Sequence, residues 1–213
     1  MVRFLFTTNV GDDRWSWTFG ANGIFTTKCL SELIRSKINN SSSVGNATLR
    51  NIFVPKKVGI FIWRDLLGRI PVLSELDKRG IDLHFVRCPL CDDDIETVAH
   101  AVFHCQNNVE IWNRVFDWFG VSRVTLDFSN AFCGQTSLQF TEEGAKVWQA
   151  VEWTCGYLIW KNRNKKIFKK SSWNPPVALN EIQVKSFEWI SKRCKTLEID
   201  WHSWLTNPKK FIV

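Results

Sequence analysis

The sequence predicts a mainly α-helical protein with a small N-terminal β-hairpin, followed by short helices and then by a helical hairpin. Three patterns indicate this fold class. Large apolar residues alternate along residues 15–19, as they do on one face of a strand. From residue 30 onward, apolar residues recur three or four positions apart, which is the period of a helix. In the last third of the chain, Pro175 and Pro176 separate two long helical patterns.

The β-hairpin is predicted from two short runs joined by a turn signal. Residues 15–19 form the first run, Asn22 and Gly23 favour a tight hairpin turn, and residues 24–27 return as the second strand. A helical stripe follows, made of Leu30, Leu33, Ile34 and Ile38. Residues 39–46 are polar and show no periodicity, so a loop is predicted there.

Short helices are predicted across the middle of the chain. Pro71 begins one of them and Gly80 ends it. The helix before it is indicated by Ile60, Trp63, Leu66 and Leu67. A stronger pattern ends at Gly120, and its apolar positions are Val109, Trp112, Val115, Phe116 and Phe119.

The chain is predicted to have three parts. Residues 10–119 form a first domain, and residues 120–146 are poor in helix signals and serve as a linker or capping segment. Residues 147–213 form a basic C-terminal helical region. Within and around it, long helices are predicted over residues 142–168 and 177–195, which gives a helical hairpin.

Residues 88–105, the predicted zinc knuckle, contain three of the chain's seven cysteines and two of its four histidines. Cys88 and Cys91 enclose two residues, and such a turn lets two thiolates bind one tetrahedral ion. His100 follows after a short connector as a third candidate ligand. The fourth ligand is open on spacing alone. His104 lies on the same helical face as His100, whereas Cys105 offers the softer thiolate if the helix turns at that point.

Either completion closes the coordination sphere with four protein ligands. A catalytic zinc keeps one position open for water, so the pattern favours one structural Zn²⁺ that holds the short helices together. Buried core cysteines or a disulfide are the alternatives. A disulfide framework is disfavoured because the number of cysteines is odd and no secretory signal begins the sequence, which also predicts an intracellular protein, nuclear or cytoplasmic. The other cysteines are far apart: Cys29, Cys133, Cys155 and Cys194.

A resemblance extends along most of the chain; besides the segments named next, it includes Asp13–Trp17, Gly23–Phe25, Ile159–Asn164 and Phe168. Ordered segments resemble the zinc-binding domain of reverse transcriptases from plant non-LTR (LINE-type) retrotransposons; these segments are Val54–Arg64, Gly68–Pro71, Leu76–Ile81, Cys88–Cys91, Glu96–His100, Cys105 and Trp112. In that family the motif is Cys, two residues, Cys, a spacer, His, four residues, Cys. The resemblance therefore implies that Cys88, Cys91, His100 and Cys105 are the zinc ligands, with His104 in reserve.

The resemblance also implies a parent enzyme, an RNA-directed DNA polymerase in which the zinc knuckle helps to hold RNA or template. The catalytic parts of that enzyme are not expected here. A polymerase palm needs paired aspartates that hold two metal ions. Asp12–Asp13 and the run Asp92–Asp94 are interpreted as solvated turns or helix caps. Too few carboxylates follow Glu152 for a ribonuclease H domain. The sequence thus predicts a non-catalytic accessory module.

Positive charge is concentrated at the C-terminal end. Residues 160–213 contain 12 Lys and Arg against 4 Asp and Glu, whereas residues 1–159 contain 16 against 17. Aromatic residues, Phe168 among them, are interleaved with the basic ones, a pattern typical of single-stranded nucleic-acid binding. A solvated basic helix end is the alternative. The candidate nucleic-acid-binding residues are Lys161, Arg163, Lys165, Lys166, Lys169 and Lys170.

Composition is consistent with a folded protein of one or two small domains, at 213 residues and 45% hydrophobic. No run of eighteen apolar residues occurs, so no membrane span is predicted. The predicted function is binding of RNA or DNA, single-stranded and with little sequence preference. A zinc-containing structural or protein-interaction domain without a nucleic-acid role is the alternative, and the sequence leaves the oligomeric state open.

Overall fold

The structure, a computed structural model, describes residues 50–121, 132, 140–172 and 174–213, with the isolated positions 26, 28 and 29. The chain divides into two units, Met1–Thr48 and Leu49–Val213, and nearly all described residues belong to the second. Apart from position 26, the predicted β-hairpin, the helical stripe of residues 30–38 and the polar loop of residues 39–46 lie outside the described residues.

The described part of Leu49–Val213 is helical, which confirms the prediction of a mainly α protein. Its strand-like pairing is limited to one isolated antiparallel bridge between Arg87 and Ile95. The elements in chain order are α1 (Lys56–Leu66), α2 (Leu73–Asp77), a π-turn (His100–His104), α3 (Gln106–Phe119), α4 (Glu142–Lys169), α5 (Pro175–Arg193), α6 (Trp201–Thr206) and a 3-10 helix (Pro208–Phe211).

Helices α4 and α5 form the predicted long pair, and both match the predicted bounds to within two residues. α4 begins where the hydroxyl of Thr141 accepts a hydrogen bond from the amide of Gly144, at 3.0 Å. Before α5, the side chain of Asn174 accepts one from the amide of Val177, at 3.2 Å. The two prolines thus lie in the first turn of α5, where their missing N–H groups cost nothing.

Aromatic side chains fill the core between α3, α4 and α5. Trp148 of α4 is fully buried, and its ring centroid lies 5.5 Å from that of Phe116 and 5.0 Å from that of Phe119. Trp204 of α6 completes the group, with its ring 5.6 Å from that of Phe119. Edge-to-face contacts of this kind favour a fixed arrangement of the rings. Both tryptophans of this cluster therefore act as core anchors.

The C-terminal segment packs against the start of α4 at very short range. The amide of Thr141 donates a hydrogen bond to the carbonyl of Ile212, at 3.2 Å. A Cβ atom at Gly144 would lie 2.2 Å from the same carbonyl oxygen. Glycine is required at position 144 because backbone approaches backbone there. The last residues of the chain are therefore part of the packed unit.

Among the helices of the described residues, none has the length and apolar character needed to cross a membrane.

Candidate metal centre

The loop of residues 86–96 folds back on itself and presents Cys88 and Cys91. The amide of Cys88 donates to the carbonyl of Asp94 at 2.7 Å, and the amide of Glu96 donates to the carbonyl of Val86 at 2.9 Å. Asp92 has a φ of 59°, a left-handed conformation that Asp adopts more readily than most residues and that closes the turn. Backbone pairing thus fixes the direction in which the two cysteines point.

Backbone amides surround the sulfur atoms. The amides of Leu90 and Cys91 donate hydrogen bonds to the sulfur of Cys88, and the amide of Asn107 donates to that of Cys105. Hydrogen bonds of this kind stabilise thiolates, since they place donors against developing negative charge. The chain around both cysteines is therefore shaped to hold ionised sulfur.

The π-turn of residues 100–104 explains how His100 and Cys105 come together. The amide of Cys105 donates to the carbonyl of His100 at 3.0 Å, a hydrogen bond that spans five residues instead of four. Because a π-turn contains more residues per turn than an α-helix, position 105 rotates toward the face of His100. His104, which regular helix geometry would select, is exposed instead.

Side chains of α3 satisfy the carbonyl groups that the π-turn leaves unpaired. Asn108 is buried and donates from its amide nitrogen to the carbonyl of Ala101, at 2.8 Å. The indole N–H of Trp112 donates to the carbonyl of Val102, at 2.9 Å. A buried carbonyl without a partner would cost about 1–3 kcal/mol. These two side chains therefore stabilise the unusual turn.

Four side chains converge at this site: Cys88, Cys91, His100 and Cys105. Their candidate ligand atoms all lie within 4.8 Å of one another. The sulfurs of Cys88 and Cys105 are 3.9 Å apart, and the sulfur of Cys91 is 3.4 Å from Nε2 of His100. A tetrahedron with Zn–S of about 2.3 Å and Zn–N of about 2.0–2.1 Å has edges of roughly 3.5–3.8 Å. The group therefore fits one zinc ion.

The same distances are incompatible with a disulfide. A disulfide holds its sulfurs about 2.05 Å apart, far closer than the 3.9 Å between Cys88 and Cys105. Both residues are free cysteines and both are buried. Both sulfurs are therefore available as ligands of one metal ion.

The thiols of Cys88 and Cys105 share one hydrogen bond, which shifts their pKa values in opposite directions. The hydrogen bond to Cys105, together with burial, raises the pKa of Cys88 well above its usual range. The hydrogen bond from Cys88 lowers the pKa of Cys105. The hydrogen bond thus favours the ionised form of Cys105 and the protonated form of Cys88. A zinc ion would supply the positive charge needed to ionise both.

A carboxylate lies near His100 on the side away from the cysteines. Its Nδ1 lies 3.6 Å from a carboxylate oxygen of Asp94, and its Nε2 faces Cys91. Burial lowers the pKa of His100, which favours the neutral imidazole that a metal requires.

Glu96 connects the metal-site loop to two helices. Its carboxylate accepts a hydrogen bond from the amide of Leu73 at 2.8 Å, and its carbonyl accepts one from the hydroxyl of Ser74 at 2.8 Å. Arg163 of α4 forms a two-point salt bridge with the same carboxylate, and Nε lies 2.6 Å from Oε1. Both side chains are buried. Sequence reasoning did not single out Glu96, and only its place in the resembling segment could have pointed to it.

The structure corrects one predicted nucleic-acid-binding residue. Arg163 is only 3% exposed, because it points into the core toward Glu96 and packs over the ring of Trp160 at 4.8 Å. A buried guanidinium that already has its carboxylate cannot meet a phosphate in solution. Its place in a run of basic residues concealed this role, since the sequence does not show which side of α4 each residue occupies.

The five predicted lysines divide into two groups. Lys161 and Lys165 lie 3.0 Å and 3.4 Å from the carboxylate of Glu181 on α5, so their charges are partly balanced. Lys166, Lys169 and Lys170 are exposed at the C-terminal end of α4. Phe168 lies among them and is 78% exposed. We call Lys166, Phe168, Lys169 and Lys170 the basic helix end.

Comparison with known proteins adds an independent finding for the metal centre. Residues 25–112 match the family model described as zinc-binding in reverse transcriptase. The chain is also similar to a protein of Arabidopsis thaliana whose name describes it as a ribonuclease H protein. The two are 29% identical over 107 residues, which cover 48% of this chain but 17% of the relative. No solved structure matches the chain.

Proposed function

We propose that this chain is a non-catalytic module that binds one structural zinc ion and single-stranded nucleic acid. The match of residues 25–112 to the family model described as zinc-binding in reverse transcriptase supports the zinc part of this proposal. The proposed zinc ligands are Cys88, Cys91, His100 and Cys105. The basic helix end is the proposed contact with phosphates and bases. The proposed module has no polymerase or nuclease activity of its own; the chain's match covers 17% of the curated relative.

The observation that supports the zinc proposal best is the convergence of four ligand atoms within 4.8 Å. Three thiolates and one imidazole would give a closed site, with no position left for water or substrate. The ion would then act on structure: it would join the loop of residues 86–96 to the π-turn. Closed sites of this type contribute folding free energy directly.

The nucleic-acid proposal is supported by the exposed charge of the basic helix end. In this part of α4, three lysines without carboxylate partners among the described residues surround Phe168. Lysines at such a surface would release counterions from a phosphate backbone, and an exposed ring would stack on a base without reading its identity. Binding should therefore be salt-sensitive and tolerant of sequence.

The experiment is a binding titration of the zinc-loaded protein with a fluorescent single-stranded RNA at several salt concentrations. Changing Lys166, Lys169 and Lys170 to Ala together should reduce the slope of log affinity against log salt by about 2, at roughly 0.7 per lost phosphate contact. Lys161 and Lys165 changed to Ala is the matched control, since Glu181 already pairs with both.

The titration also separates the proposal from its alternative. An unchanged slope in the triple variant would remove the basic helix end from the interface. If the unmodified protein binds no RNA or DNA at low salt, the zinc-containing structural or protein-interaction domain becomes the better description. Zinc content is measured on the same sample, so that loss of metal is not mistaken for loss of binding.

A further inference from the structure

A cavity of about 790 Å³ opens on the unit Leu49–Val213 beside α1. Pro55 and Lys56, where α1 begins, line the cavity, and so does Arg193 at the C-terminal end of α5. None of the four proposed zinc ligands lines it, nor does any residue of the basic helix end. The cavity therefore belongs to neither of the sites described above.

All the charged side chains that line the cavity are positive. Arg50, Lys56 and Arg193 line it, and the lining, which lies wholly in the described part of the chain, contains no aspartate or glutamate. All three cations are exposed, and none forms an ion pair within the described residues. Arg193 makes one hydrogen bond, from its guanidinium to the carbonyl of Trp189 at 3.2 Å. A concave surface with unbalanced positive charge attracts anions.

The remaining wall of the cavity is apolar and includes an accessible indole. Ile60 and Trp63 lie on the same face of α1 as Lys56 and are 57% and 38% exposed. Gly59 lies one helical turn after Lys56 on the cavity side of α1 and leaves the floor open. A Cβ atom there would lie 3.8 Å from the buried ring of Trp153, an ordinary contact. A flat aromatic surface is thus available beside the three cations.

We propose that this cavity holds one unstacked nucleotide of a single-stranded nucleic acid, with its base against Trp63 and its phosphate near Arg50, Lys56 and Arg193. This inference rests on the proposed function and adds a second contact to it. The volume lies in the range of about 300–1,000 Å³ that small-molecule sites occupy. Base stacking accounts for the indole and phosphate binding for the cations.

An acidic peptide would also satisfy the three cations, but it would leave Trp63 and Ile60 without a suitable partner. A planar base meets both requirements, because it has an apolar face to stack and is linked to an anionic phosphate. The apolar wall therefore favours the nucleotide.

The experiment uses the full zinc-loaded chain and a short oligouridylate that contains one 4-thiouridine. Irradiation should join the photoreactive base to the peptide that contains Trp63, as identified by mass spectrometry. In parallel, Trp63→Ala and the double change Arg50→Ala with Lys56→Ala should each weaken oligouridylate binding at least about fivefold. Arg64→Ala is the matched control, because Arg64 is exposed on α1 but does not line the cavity.

A variant that fills the cavity and still folds distinguishes loss of the binding site from loss of the folded structure. Gly59→Leu places a side chain on the cavity floor, at a half-buried position of α1 where leucine is a good helix former. It should retain the melting temperature and the zinc content of the unmodified protein while it loses the crosslink to the Trp63 peptide. A stable Gly59→Leu variant that binds and crosslinks normally would overturn the proposal.

The outcomes distinguish this inference from the proposed function. If the cavity variants bind normally while loss of Lys166, Lys169 and Lys170 abolishes binding, the function stands and the cavity assignment falls. If the unmodified protein binds no oligouridylate at low salt, both fall. Uridine monophosphate that binds as tightly as the oligomer would overturn the assignment to a strand. Equal competition by a polyglutamate peptide would overturn the assignment to nucleic acid.

Discussion

Arg163 forms a buried two-point salt bridge with Glu96, and this contact joins the long helix α4 to the loop between Cys91 and His100. The two residues are 67 positions apart in sequence. A guanidinium matches a carboxylate with two parallel hydrogen bonds, so the pair fixes orientation as well as distance. The proposed metal centre is therefore attached to the helical core at a defined angle.

The first prediction concerns this salt bridge. Arg163→Met should lower the free energy of unfolding by about 3–5 kcal/mol, because it leaves the carboxylate of Glu96 buried without its charged partner. Chemical denaturation of the zinc-loaded protein measures the loss. Changing Glu96 to Gln in the same chain should recover part of it, since the isolated charge is then removed.

Lys161→Ala is the control for the salt-bridge prediction. Lys161 pairs with Glu181 at 3.0 Å but its side chain is 43% exposed. Its removal should cost less than about 1 kcal/mol. If Arg163→Met costs no more than Lys161→Ala, the buried salt bridge does not hold the loop to α4.

The second prediction concerns the fourth ligand. Cys105→Ser should lower zinc content more than His104→Ala does, because Cys105 is buried beside Cys88 and the side chain of His104 is exposed. Zinc is measured by elemental analysis on variants purified in parallel. Cys194→Ser, outside the cluster, is the control for loss of a buried cysteine. The reverse order for Cys105 and His104 would mean that the π-turn does not present Cys105 to the ion.

The third prediction concerns pH. Asp65 of α1 is fully buried, neither carboxylate oxygen has a hydrogen-bond partner among the described residues, and burial raises its pKa to about 7. Between its unfolded value of 3.8 and about 7, the folded state binds a proton that the unfolded state has lost. Stability therefore falls as pH rises through this window, by about 1 kcal/mol between pH 6 and 8. Asp65→Asn should remove this dependence.

Denaturation at pH 6 and at pH 8 in the presence of excess zinc tests the effect of Asp65. Asp77→Asn serves as control, since Asp77 is exposed at the end of α2 and its charge is solvated in both states. A pH slope that survives in Asp65→Asn would assign the dependence to other groups.

The fourth prediction compares two glycines that lie in helices. Gly144→Ala should destabilise the protein by about 1–3 kcal/mol, because its Cβ would lie 2.2 Å from the carbonyl oxygen of Ile212 and one backbone segment must move. Gly59→Ala should be neutral or stabilising by up to about 1 kcal/mol, since alanine favours a helix and the methyl group meets Trp153 at 3.8 Å. Thermal unfolding distinguishes the two. Equal melting temperatures would mean that the C-terminal residues do not pack against α4.

Much of the fold could be predicted because its signals are local. The end of α3 at Gly120 follows from one residue in a left-handed conformation, with a φ of 59°. The bounds of α4 and α5 follow from capping side chains and prolines that act within a few residues. Helical periodicity and capping depend only on residues a few positions apart. Sequence patterns therefore locate the ends of α4 and α5 to within about two residues.

The candidate site could be predicted only in part, for physical reasons. Spacing suggested Cys88, Cys91 and His100, but the choice of Cys105 over His104 depends on a π-turn that side chains of Asn108 and Trp112 stabilise. No local period indicates such a turn. The burial of Arg163 likewise depends on a partner 67 residues away. Contacts between residues distant in sequence therefore determine the position of Cys105 and the burial of Arg163, which local patterns do not indicate.

The central claim is that one ion occupies the group formed by Cys88, Cys91, His100 and Cys105. Elemental analysis of freshly purified protein, before and after chelation, tests it most directly when combined with a melting curve for each sample. The account predicts one zinc per chain and a large fall in melting temperature when zinc is removed. A protein that contains no zinc, or one that loses its zinc with no change in melting temperature, would contradict it.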